Sequence, residues 1–381
     1  MEYTKLKNIN EYKSETVNPM NYPDTVFEMY SVPIYNTGHP EYLCGSEIRS
    51  SKVIVRKNDV LICKINPRIN RVWVVSDESE YQNIASSEWI VVRSSTYNPD
   101  FLAWYFRSKR FKELMTSEVT GIGGSLTRAQ PKAVAEYPVP IVPEDRQFYI
   151  VDVLNRVSSV ITARRQELLM LDELIKARFV ELFGDPVSNP KGWEKKALSE
   201  EAEIKIGPFG SLLHKEDYIT GGHALVNPSH IVDGKIAPDD KLTISDEKYD
   251  ELSAYHLRTG DVVMGRRGEM GRCAVVEQPG LLCGTGSLLI RTNGDLSADY
   301  IQKIISFPSF KRTIEEMAVG QTMPNLNVPI VSAFQIIKPP KSVQNQYYSF
   351  VAQVDKSKAQ VQKALDETRL LFDSLMQEYF G

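Results

Sequence analysis

The sequence predicts an α+β protein in which two mixed α/β modules, related by an internal repeat, are separated by two long helices forming an antiparallel coiled coil. Three observations lead there. The chain ends the way its middle does, a heptad of apolar residues follows each module, and strand-like runs recur in the same order ahead of each heptad.

Glu181-Leu182-Phe183-Gly184 returns as Glu378-Tyr379-Phe380-Gly381, an offset of 197 (381 − 184). Without a gap, that offset pairs Gly123 with Gly320, Val134 with Val331, Pro143 with Pro340 and Gln147 with Gln344. It also pairs Val157 with Val354, Leu168 with Leu365 and Leu174 with Leu371. A gapless offset of this length marks a tandem duplication. Two related halves present two related surfaces, which suits a target that itself has two halves.

The elements follow in order. Residues 1–143 form the first module: runs at 52–55, 60–63, 72–75 and 89–92 have strand length and content, and 101–114 reads as a helix. A helix over 144–184 comes next. Pro143 precedes it, Glu144 and Asp145 suit its N-terminus, and Gly184 followed by Pro186 closes it. Its seam is Ile150, Leu154, Val157, Ile161, Arg164, Leu168, Leu171, Ile175, Arg178 and Leu182, in the unbroken 4-3 spacing of a coiled coil.

Residues 185–192, rich in turn formers, link to the second module, 185–340. There 261–264, 273–276 and 287–290 read as strands, and 299–317 contains helix. Arg56-Lys57-Asn58-Asp59-Val60-Leu61 resembles Arg258-Thr259-Gly260-Asp261-Val262-Val263, and Phe111-Lys112 sits opposite Phe310-Lys311. A last helix, 341–381, with Ser342 as its expected N-cap, carries the second seam: Tyr347, Val351, Val354, Lys358, Val361, Leu365, Thr368, Phe372, Leu375 and Tyr379. Arg164, Arg178, Lys358 and Thr368 make this something other than a leucine zipper. From Ile150 to Leu182 the seam spans on the order of 50 Å, so the pair is a spacer as much as a core.

Composition narrows the function. With 42% hydrophobic residues in 381, the chain can bury sizeable cores in two or more domains. It has no membrane-length apolar run and no signal peptide, and its four cysteines lack CxxC spacing, so a cytoplasmic protein with reduced thiols is expected. A net charge of −4 argues against an autonomous electrostatic DNA binder, so any nucleic-acid surface is local or completed by a partner. His214, His223 and His230 fit no metal-ligand spacing. Gly121-Ile122-Gly123-Gly124 and Gly284-Thr285-Gly286-Ser287 lack the form of a nucleotide loop, and Lys338-Pro339-Pro340-Lys341 lacks the motif of an amino-methyltransferase. No metal and no cofactor are expected in this chain, and no catalysis by it alone.

One set of motifs carries a family resemblance. Ile206-Gly207-Pro208-Phe209-Gly210-Ser211 with Leu213-His214, then Gly260-Asp261-Val262-Val263, then Arg266-Arg267-Gly268-Glu269-Met270-Gly271-Arg272, resemble the recognition domain of Type I restriction–modification specificity (S) subunits. So does Phe183-Gly184-Asp185-Pro186 leading to Gly192-Trp193. The order domain, helix, domain, helix extends the resemblance over the whole chain. The first 120 or so residues depart most, with Asn58-Asp59 where Gly-Asp is common and no GPFGS equivalent.

The resemblance implies two target-recognition domains, each reading one half of a bipartite site in double-stranded DNA. The helix pair would set the unread spacer and dock two methyltransferase (M) subunits, which carry S-adenosylmethionine and methylate adenine N6. Restriction (R) subunits, using ATP and Mg, would join. Phosphate neutralisation shared with M subunits would reconcile DNA binding with the acidic balance. The implied DNA-binding residues in the second domain are Gly207, Ser211, His214, Arg266, Arg267, Arg272, Thr322 and Asn325. In the first they are Lys64, Arg68, Asn70, Arg71, Ser125 and Arg128. Arg forks suit guanine, and Asn or Gln suits adenine. Read alone, the same loops are solvated turns. The readings left standing beside this one are a coiled-coil scaffold, a DNA-binding regulator acting without M subunits, and a detached recognition half of a fused enzyme.

Overall fold

The computed structural model describes residues 2–76, 79–117, 119–120 (as backbone), 127–208, 212–318 and 325–381. It has two compact units, one of Met1–Leu168 with Gln360–Gly381 and one of Leu169–Ala359.

In unit 1, a five-stranded sheet orders Thr16–Val17, Lys52–Ile54, Gln82–Ala85, Val26–Tyr30 and Glu41–Cys44, with Val26–Tyr30 and Gln82–Ala85 parallel. A three-stranded sheet places Val60–Cys63 between Val72–Val74 and Trp89–Val92. Every residue of Val60–Cys63 is buried, because both faces are covered. Val60 and Ile62 pack with Phe101, Phe106 and Leu154, whereas Leu61 and Cys63 pack with Tyr30, Trp73 and Trp89. The period of two thus sorts one strand between two cores.

Unit 2 repeats the plan. A four-stranded sheet orders Ala202–Ile206, Ser287–Thr292, Val262–Gly265 and Cys273–Val275. A five-stranded sheet orders Tyr218–Ile219, Thr243–Ile244, His223–Val226, Leu281–Cys283 and His256–Leu257, again with one parallel pair, His223–Val226 and Leu281–Cys283. Val262 and Met264 face the helical core while Val263 faces the other. The main difference lies in the smaller sheet. Ala202–Ile206 has no counterpart strand among the described residues of unit 1, in keeping with the missing GPFGS there.

Helices Glu144–Phe183 and Lys341–Phe380, each 40 residues, run antiparallel. In unit 1, Ile150, Val151 and Leu154 share a core with Phe372, Leu375, Tyr379 and Phe380. Trp104 meets Phe372 edge-on at 5.6 Å. In unit 2, Ile175, Phe179, Leu182 and Phe183 share a core with Tyr347 and Val351. Arg178 lies over the Phe350 ring at 5.5 Å, and Lys358 Nζ pairs with Asp172. The seam positions follow this pairing: Ile150, Leu154, Ile161, Val354, Val361 and Leu365 are buried, and Val157, Leu168, Leu171, Ile175, Val351 and Phe372 are half-buried. Full burial of such a side chain contributes about 1.5–3 kcal/mol. Leu174 and Leu371, although repeated at the 197 offset, lie outside the seam and are exposed.

Two local expectations are corrected. The stretch 101–114 is two helices, Pro99–Arg107 and Lys109–Ser117, because Ser108 turns extended (ψ 154°) and its Oγ accepts the Phe111 amide at 3.3 Å. In unit 2 the corresponding break falls between Ala298–Ile305 and Pro308–Met317, where Pro308 holds Phe307 extended. Ser342 does not cap its helix. Val343 and Gln344 already donate to the Pro340 carbonyl, so the helix begins at Lys341.

Candidate nucleic-acid interface

Each unit carries the same buried clamp. In unit 1, Arg93 Nε and Nη2 donate to the two carboxylate oxygens of Asp59, both at 2.7 Å. In unit 2, Arg291 grips Asp261 at 2.8 and 2.7 Å. Each aspartate also accepts a backbone amide three residues back, Arg56 N at 2.8 Å and Arg258 N at 2.7 Å. The turn between them needs a left-handed residue. Asn58 (φ 71°) supplies it in unit 1 and Gly260 (φ 88°) in unit 2. The Asn-Asp departure noted in the sequence is therefore the same turn built with the other residue that tolerates this conformation.

The clamped strand leads straight into the candidate loop. In unit 2, Gly265 N donates to Arg272 O (2.8 Å), closing a loop over 266–271 that turns at Gly268 (φ 81°) and Gly271 (φ 73°). Arg266 is held on both sides, its N donating to Gly286 O (3.0 Å) and its O accepting Leu326 N (2.9 Å). Its Nε donates to Asn325 Oδ1 at 3.0 Å. Burial, and then the neighbouring Arg267, hold this guanidinium below the usual arginine range. Arg267 is exposed and bridges by backbone to Asn325. Arg272 is committed elsewhere: its Nε and Nη2 donate to Glu269 and its Nη1 to Pro228 O, while Lys311 holds the second oxygen of Glu269 at 3.1 Å. These two cations keep the Glu269 carboxyl below the usual carboxylate range, Arg272 first.

Unit 1 has the same wiring with different side chains. Cys63 N donates to Arg71 O (3.0 Å), Lys64 N to Glu88 O (3.0 Å) and Ala129 N to Lys64 O (2.9 Å). Ile65 bridges to Arg128. Lys64 therefore occupies the place of Arg266, Glu88 that of Gly286, and Arg128 that of Asn325. The turn residues here are Asn66 (φ 47°) and Asn70 (φ 51°). Glu88 draws in both cations, Arg128 at 3.1 Å and Lys64 at 4.0 Å, and Lys64 Nζ also donates to Ser87 O at 2.7 Å.

The structure thus brings together Lys64, Asn70, Arg71 and Arg128 in one unit, and Arg266, Arg267, Arg272 and Asn325 in the other. Arg68 is exposed at the tip of the first loop, and His214 is exposed on a separate turn where its amide donates to Asp217 at 2.6 Å. Gly207 is buried. A Cβ there would lie 2.0 Å from Gly284 O, so its bareness serves close packing. Gly284 in turn abuts Asn227, whose Oδ1 also accepts Gly286 N at 3.3 Å. Ser125, Ser211 and Thr322 lie outside the described residues.

Sequence reasoning missed Glu88, Asn227 and the clamp arginines. Arg93, just past Trp89–Val92, and Arg291, near the end of Ser287–Thr292, could have been found, since that strand in each unit pairs with the one the aspartate leads into. Among the described residues no cluster could hold a metal ion, and no helix is long and apolar enough to cross a membrane.

Residues 190–368 match the family model described as the Type I restriction modification DNA specificity domain. No curated protein sequence matches significantly. A solved structure described as the structural basis of complex assembly and conformational transition of the type I R-M system is similar over 100% of this chain and 97% of its own. Its TM-score is 0.68 and its identity 18%. The Type-I restriction-modification system S subunit from M. genitalium is similar over 100% of this chain and 96% of its own, with a TM-score of 0.56 and 13% identity. Likeness at these identities is a likeness of fold, and it runs the length of the chain.

Proposed function

We propose, from the match of residues 190–368 to the Type I restriction modification DNA specificity domain and the likeness of the whole chain's fold to a Type I S subunit, that this protein gives such a complex its DNA sequence specificity. Each unit reads one half of a bipartite site in double-stranded DNA. The paired helices set the spacer and dock two methyltransferase subunits carrying S-adenosylmethionine. Restriction subunits using ATP and Mg complete the assembly, and this chain itself is non-catalytic.

The observation that carries this reading is the duplicated loop on its clamp. Two loops hang from the same aspartate–arginine frame by the same backbone bonds, yet one is lined by Lys64, Glu88 and Arg128 and the other by Arg266, Gly286 and Asn325. A constant frame with differing polar side chains is what reading two unlike half-sites requires, since base edges are told apart by donor and acceptor pattern. Exposed apolar side chains on the long helices, including Leu169, Met170, Leu174, Leu370 and Leu371, support the docking role. The similar solved structure described in terms of type I complex assembly supports it too.

The test is single-molecule methylation sequencing of cells expressing this chain with its methyltransferase partner, beside cells lacking this chain. A bipartite methylated motif that depends on the chain is the expected result. A motif indifferent to it would refute the reading.

A further inference from the structure

We propose that Arg266 reads a guanine in the half-site met by unit 2, with Asn325 as the residue that positions its guanidinium; this rests on the DNA-specificity role above and adds a base and its reader.

Arg266 differs from its neighbours in how its charge is met. Arg291 is paired with Asp261, and Arg272 with Glu269. Lys64, at the equivalent place in unit 1, has Ser87 O and Glu88. Arg266 is half-buried, and among the described residues it has no carboxylate partner and only Asn325 Oδ1 meets its side chain, at Nε. Partial burial of a guanidinium without an anionic partner is costly, and the cost is offset when an external acceptor meets the fork.

The geometry favours a base edge. With Nε held by an amide, the plane of the guanidinium is fixed and its two terminal amino groups remain as a parallel pair of donors. That pair matches the O6 and N7 acceptors of guanine in the major groove. A phosphate also accepts a fork, but it asks for charge more than for a locked plane. Arg267, exposed and next in the chain, meets that need without burial. The backbone bonds to Gly286 and Leu326 remove the remaining freedom at Arg266, as a reader of one position requires.

The experiment uses the full chain in complex with its methyltransferase partner, S-adenosylmethionine and a randomised DNA library, with methylated products sequenced. The wild-type complex is expected to give a bipartite motif with a G·C pair in at least one half-site. Arg266→Lys keeps the charge and loses the fork. It should lower discrimination at one G·C position of one half-site by roughly 10- to 100-fold, leaving the other half-site intact as an internal control of folding. Asn325→Ala should relax that same position, and the double variant should add little. A uniform fall in methylation with an unchanged motif, the signature of a phosphate contact, overturns the proposal, as does a wild-type motif with no specified G·C pair. Methylation without any bipartite motif would remove the function proposed above and this inference together.

Discussion

Asp261 accepts both hydrogen bonds of the Arg291 fork while capping the turn that begins at Arg258, so one carboxylate ties two strands and a turn together. Asp261 is almost wholly buried and Arg291 largely so. Removing one partner of such a pair strands the other charge, at a cost of about 3–5 kcal/mol. Asp261→Ala is therefore expected to destabilise unit 2 by about 3 kcal/mol, with faster amide exchange along Val262–Gly265. Unchanged exchange there would show that the clamp is dispensable.

The turn above each clamp gives a second prediction. A left-handed non-glycine residue costs about 1–2 kcal/mol, less for asparagine. Asn58→Gly should leave the unfolding midpoint unchanged or raise it, because Gly260 already fills this role in the other unit. Asn58→Ala should lower stability by about 1 kcal/mol. Equal midpoints for the two variants would contradict the conformational argument.

Repetition and burial part company on the long helices. Leu154 is fully buried against Phe372 and Phe380, whereas Leu371 is 52% exposed. Leu154→Ala should cost about 2–5 kcal/mol. Leu371→Ala should fall within about 0.5 kcal/mol, and Leu371→Asp should weaken capture of the proposed methyltransferase partner in a pull-down while leaving thermal unfolding unchanged. Full capture by that variant would place the docking surface elsewhere.

Acidification probes the loop of unit 2. The Glu269 carboxyl is depressed by Arg272 and then Lys311, so its contribution is present above the ordinary carboxylate range, about 4.3, and is lost as pH falls through the lower folded value. Wild type should therefore be more stable than Glu269→Gln at neutral pH, and the two should converge in acid. A constant difference across the pH range would show that the ion pairs contribute nothing.

Much of this frame was legible in the sequence because its signals are local. The heptad of Ile150 to Leu182 is read along one helix, and Val60–Cys63 and Val262–Gly265 announce themselves as buried apolar runs. What stayed hidden depends on pairing across the chain. Val26–Tyr30 and Gln82–Ala85 meet as parallel strands some fifty residues apart, and neither alone has a strong alternating pattern. Glu88 sits in an ordinary turn, and only the backbone bond from Lys64 makes it the counterpart of Gly286. The break at Ser108 has no glycine or proline to mark it; a single side-chain cap between Phe106 and Phe111 redirects the backbone. The candidate residues themselves were legible as residue types, and their division into committed and available cations was not.

Unit 2 is one uninterrupted stretch, Leu169–Ala359, whereas unit 1 is assembled from Met1–Leu168 and Gln360–Gly381. During synthesis the ribosome must therefore finish the later-coded unit before the earlier one can close. Phe372, Tyr379 and Phe380, which complete the core around Phe101, Tyr105 and Leu154, emerge only after the whole of unit 2. Until then the nascent first unit leaves an aromatic-lined cleft open, a natural client surface for holding chaperones. A stall or cleavage between Ala359 and Phe372 would release a chain whose second unit is whole and whose first has never shut.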